Sequence, residues 1–149
     1  MTGRQGTALI GAHISISGGV HLSFGRGLET GCAAMQIFTK NATRWAVPPL
    51  APEEVSLFRA EQARTRIAPV VAHGSYLVNL ASPEPLLLER SRQAFLDELR
   101  RAQALGLPCV ITHPGAHMGA GVDAGLARVA ESLDWLAERI GEGAPLVCL

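Results

Sequence analysis

The chain has 149 residues, 48% of them hydrophobic and 17% charged, which suits one ordinary domain with a sizeable core and argues against disorder. Its formal net charge of +0 excludes a global basic footprint for nucleic acid but leaves room for a local basic groove. No apolar stretch approaches the roughly 20 residues of a membrane span. The start MTGRQGTALIGAHIS is a poor signal peptide, and Cys32, Cys109 and Cys148 show no CxxC spacing, so reduced structural thiols in a cytoplasmic protein are expected.

In chain order, ALIGAHI (8–14) reads as a strand. Residues 17–31 read as a helix weakened by glycines and stopped at Gly31. AAMQIFT (33–39) is a second strand, and 39–52 a loop rich in Asn, Thr and Pro. Residues 52–66 start on Pro52 with acids in the first turn and carry arginines in the last, which suits a helix dipole. IAPVVAH (67–73) is a third strand, with Pro69 an objection unless it lies near the start. A long helix follows over 82–106, with Ser82 as its cap and Leu88, Phe95, Leu99, Ala102 and Leu105 at helical spacing. LPCVITH (107–113) is a fourth strand. Residues 122–141 form a helix with Val129, Leu133, Leu136 and Ile140 on one face, and APLVCL (144–149) begins a fifth strand.

This β-α alternation predicts a parallel sheet with right-handed crossovers, doubly wound or part of a (β/α) barrel. The continuous apolar runs predict strands buried on both faces. In such folds reactive groups gather where strands end. The first strand ends near His13, the second at Thr39, Lys40 and Asn41, the third at His73 and the fourth at His113. Adjacent strands lie about 4.8 Å apart, so His73 and His113 are spaced to share one ion. The plainer alternatives stand beside this. A histidine at a strand end is commonly a hydrogen-bonded turn residue, and His21 reads as a helix-surface residue. His117 reads equally as a supporting donor or a loop residue. Trp45 reads as a core lid or a DNA-facing aromatic, and Tyr76 and Leu77 as loop packing.

GAHISISGG (11–19), IFTKNATRW (37–45), HGSYLVNLA (73–81), the segment 89–117 ending in HPGAH, and ARVAESLD (127–134) occur together and in order. In these the chain resembles the endonuclease IV family of apurinic/apyrimidinic endonucleases. The resemblance implies a parallel (β/α) TIM barrel of the xylose isomerase-like type, of which residues 1–149 are the N-terminal part: about four βα units and a fifth strand. It implies a trinuclear zinc cluster, with His73 and His113 as ligands of one Zn2+, and hydrolysis of the phosphodiester 5′ to an abasic site in double-stranded DNA.

Tyr76 and Leu77 resemble the pair that the family inserts into the minor groove, where an apolar wedge replaces lost stacking. Asn41 and Arg44 take further DNA-binding roles, and His13 and His117 support the metal ligands. Thr43 stands where the family often has an arginine, with Arg44 next to it. The chain stops at Leu149, where a zinc-bridging glutamate is expected next. A truncated chain, inactive alone and prone to self-association through open sheet edges, is therefore the expectation. A metal-dependent sugar isomerase or epimerase of the related barrel class and a noncatalytic DNA-binding fragment are the rival readings.

Overall fold

A computed structural model describes residues 9–149; residues 1–8, which include Ala8 of the first predicted strand and the opening MTGRQGT, lie outside the described residues. Among the described residues, five parallel strands form one sheet in the order β1-β2-β3-β4-β5. They are β1 (Gly11–His13), β2 (Ala34–Phe38), β3 (Val70–His73), β4 (Cys109–Ile111) and β5 (Leu146–Cys148). Sequential parallel neighbours joined by helices make a partial TIM barrel. Among the described residues, no helix is long and apolar enough to cross a membrane.

The helices are α1 (Ser23–Glu29), α2 (Pro52–Thr65), α3 (Pro85–Leu105) and α4 (Val122–Ile140). The helix expected over 17–31 is shorter and divided, with a 3-10 turn at Val20–Leu22 leading into α1. Gly18 and Gly19 before it hold φ of 83° and 141°, which a helix does not admit. α2 begins on Pro52, and the Glu54 carboxylate accepts from the Ala51 N–H at 2.9 Å. Ser82 does not cap α3. The N-cap is Glu84, and the Ser82 hydroxyl instead accepts from the Glu84 N–H in the turn before the helix. Pro69 sits immediately before β3, where it removes no ladder bond from the strand.

The core lies between the sheet and its helices. Met35 and Ile37 of β2, Val70 and Ala72 of β3 and Val110 of β4 are buried against Phe24, Phe58, Phe95, Leu99, Ala102 and Leu105. Phe24 and Phe58 meet edge-on at 4.8 Å, which ties α1 to α2. The expectation that both sheet faces are buried is corrected here. The alternate residues Ala34, Gln36, Phe38, Val71, Cys109 and Ile111 keep partial exposure, and Leu146 is largely exposed. The strands read as unbroken apolar runs because the second face also carries apolar side chains, as a barrel interior does. The thiols of Cys32, Cys109 and Cys148 are free.

Candidate metal centre

The open face gathers its polar groups by register. His13 pairs with Gln36, Phe38 with His73, and His73 with Ile111. His113 therefore stands two residues beyond the partner of His73, on the same face. His13 likewise stands two residues below Phe38. The three histidines climb the tilted sheet diagonally. The His73 and His113 ring centroids are 5.3 Å apart, and those of His13 and His73 6.0 Å apart.

His73 is buried and its Nδ1 donates to the Gly74 carbonyl at 2.7 Å. That bond fixes the tautomer and leaves Nε2 with its lone pair. The His13 Nδ1 accepts from the Gln36 amide at 2.8 Å. Partial burial lowers the pKa of His13, and positive charge on His73 acts in the same direction. A neutral imidazole next to another imidazole is the state a cation needs.

Tyr76 is 67% exposed, yet its ring lies 5.3 Å from His73 and 5.9 Å from His113, nearly parallel to the latter. Phe38 completes the cluster, 5.6 Å from His73 and 5.8 Å from Tyr76. Leu77 beside Tyr76 is half-buried. Asn41 and Arg44 are exposed on the loop after β2. The Asn41 Oδ1 accepts from the Thr43 N–H and hydroxyl, so its carbonyl end closes a turn. The Trp45 ring is half-buried, with the Arg90 guanidinium 4.4 Å above it. His117 stands apart from the cluster. Its Nδ1 accepts from the Gly119 and Gly121 N–H groups, closing the turn into α4.

Several residues that organise the rim are given no role by the sequence reading, although Asn79 lies in HGSYLVNLA and Gly115 in HPGAH. The Asn79 Nδ2 donates to the Ala116 carbonyl, and its Oδ1 accepts from the Ala116 N–H, each at 3.0 Å, so one amide joins the loops after β3 and β4. Gly115 must be glycine for this, since a Cβ there would lie 2.1 Å from the Asn79 Oδ1 and φ is 109°. Glu98 was legible only as a charge on the α3 stripe that carries Phe95, Leu99 and Ala102. Among the described residues, no cluster of three or more His, Cys, Asp or Glu side chains is placed to hold a metal.

Comparison with known proteins adds findings of three kinds. Residues 24–144 match the family model described as xylose isomerase-like TIM barrel. The chain is 55% identical over 132 residues to a probable endonuclease 4 of Chloroflexus aurantiacus, covering 88% of this chain and 46% of that protein. It is 41% identical over 141 residues to a probable endonuclease 4 of Methanoculleus marisnigri, covering 95% and 50%. The chain thus spans about half the length of the curated relatives it matches. Among solved structures, endonuclease IV from Thermus thermophilus superposes with a TM-score of 0.80 at 33% identity, over 93% of this chain and 50% of that one. A D-psicose 3-epimerase superposes at 0.67 with 13% identity, over 94% and 52%, a likeness of fold alone.

Proposed function

The chain belongs to the xylose isomerase-like TIM-barrel family, aligned with about half of endonuclease IV, and on that premise we propose that it serves a zinc-dependent nuclease cutting DNA 5′ to abasic sites. The observation that carries this reading is the pair His73 and His113, set edge-on with ring centroids 5.3 Å apart on the open rim beside an exposed Tyr76.

The donor set fits zinc as two of its ligands. His73 has committed Nδ1 to Gly74 and presents Nε2, and His113 is exposed on the same side. When bound, the ion supplies Lewis acidity and a water acidic enough to attack at neutral pH. Catalytic zinc usually has three protein ligands, so the pair by itself supports little activity. Tyr76 and Leu77 serve as the wedge that fills the gap left by a missing base. An abasic site offers no stacking to lose, so it is the least costly place to bend the duplex. Arg44 and the Asn41 amide contact the backbone beside it, His13 steadies the His73 side of the pocket, and His117 holds the loop that carries His113. Self-association through the exposed edges β1 and β5 belongs to the same proposal.

Binding to two duplexes of equal sequence, one carrying a single tetrahydrofuran abasic analogue, tests this reading in the presence of zinc. Preference for the analogue is expected, and Tyr76→Ala with Leu77→Ala should abolish the preference while leaving residual binding to intact duplex. Equal affinity for both duplexes overturns it.

A further inference from the structure

Beneath the rim lies a buried ion cluster that the metal reading leaves unused. Lys40, just past β2, is 5% exposed, and Glu98, midway along α3, is 2% exposed. The Lys40 ammonium donates to Asp97 Oδ2 at 3.0 Å and to the carbonyls of Trp45 and Ala94 at 3.2 and 3.3 Å. It lies 3.5 Å from Glu98 Oε1, an oxygen with no hydrogen bond of its own. Asp97 Oδ2 also accepts from Arg101 Nε at 3.0 Å, and the same guanidinium donates to the carbonyls of Val47 and Pro48.

The other Glu98 oxygen points away from the cluster. Oε2 accepts from the Ser75 N–H at 2.9 Å. The Ser75 hydroxyl donates to the Ala42 carbonyl at 2.6 Å and accepts from the Leu77 N–H at 3.2 Å. Gly74 permits the approach, since a Cβ there would lie 2.9 Å from Thr112 Oγ1 and 3.3 Å from Glu98 Oε2. One carboxylate therefore touches both the cation that anchors the loop after β2 and the backbone of the turn after β3.

Buried ion pairs are weak contributors to stability, because removing two charges from water offsets most of their attraction. Their better-attested use is to fix geometry, and the geometry here has a clear object. We propose that Glu98, together with Lys40, is a positioning residue that couples the Tyr76–Leu77 turn to the 41–45 loop, so that both segments meet DNA as one preformed surface. The inference rests on the reading of those two segments as DNA-facing. A surface held in its bound shape loses less entropy on binding, and a wedge gains from this more than a phosphate contact does, because it must enter the duplex at one depth and angle. Glu98 touches no substrate in this scheme; it acts through Ser75.

Amide hydrogen exchange on the full chain tests the coupling without DNA. Glu98→Gln weakens a charge-assisted acceptor to a neutral one, so the Ser75 and Leu77 amides should exchange roughly ten-fold faster. The amides of Met35 and Ala72 should be unchanged. Uniform acceleration at all four, or no change at any, overturns the proposal. Glu98→Asp keeps the charge but draws the carboxylate back from the Ser75 N–H by one methylene, and decides the matter should Glu98→Gln fail to fold. It should speed exchange at Leu77 and across 42–45, and unaltered rates there also overturn the coupling.

A second arm measures the ratio of affinities for tetrahydrofuran and intact duplex, which Glu98→Gln should lower by roughly ten-fold. A wild-type ratio of one means that the nuclease reading fails, while the exchange arm still decides the coupling. A wild-type preference that Glu98→Gln leaves intact means that the positioning proposal fails while the nuclease reading stands.

Discussion

The two faces of one sheet carry different loads. On the covered face Met35, Ile37, Val70, Ala72 and Val110 are all buried against helices. On the open face Gln36, Phe38 and Ile111 are only partly covered, and His113 is exposed. Strand alternation sends consecutive residues of the same segment to opposite tasks. Stability and ligand binding should therefore separate residue by residue. Substitutions on the covered face should move the unfolding free energy, and those on the open face should move ligand binding.

The largest loss of stability is expected at Phe95, which is 0% exposed in α3. Phe95→Ala should cost about 3–5 kcal/mol in urea unfolding. A cost under about 1 kcal/mol would mean that the core lies elsewhere. Asn79→Ala sits between the two regimes, because it removes the amide that joins the loops after β3 and β4. It should cost about 1 kcal/mol and weaken zinc binding by loosening the loop that carries His113. Zinc titration of the variant checks this.

Glu98 should make the stability of the fold depend on pH. Burial raises its pKa above the usual carboxylate range, against the opposing pull of Lys40 and of the Ser75 N–H. The folded chain then holds that proton more tightly than the unfolded chain does. Its stability contribution is greatest below the unfolded glutamate pKa and declines as pH rises through the folded value. Glu98→Gln should flatten that decline. Urea midpoints of both proteins between about pH 4 and pH 8 are the measurement, and parallel slopes would contradict the assignment. The smallest effect belongs to the open face. His113→Ala should leave stability within about 0.5 kcal/mol of wild type while reducing zinc affinity.

The fold was legible because each signal was local. Pro52 starting α2, Gly106 ending α3 and the apolar spacing of Phe95, Leu99 and Ala102 all act within a turn or two. His73 and His113 were legible as strand ends for the same reason. What the sequence hid was long-range. Lys40 and Glu98 lie far apart in the chain and meet only when α3 packs against the loop after β2. The bond from Asn79 to Ala116 joins loops whose approach no spacing reveals. The open face is not legible in the sequence because a sheet half covered by helices and a fully buried one are written in the same apolar residues.

On the proposed function, His73 and His113 hold one ion between them. Long-range 15N–1H spectra of the histidine side chains, recorded during zinc titration, test it most directly. Nε2 of His73 and one ring nitrogen of His113 are predicted to shift together and saturate at one equivalent, with His21 unmoved. Zinc that shifts neither ring, or only one of them, would contradict the claim.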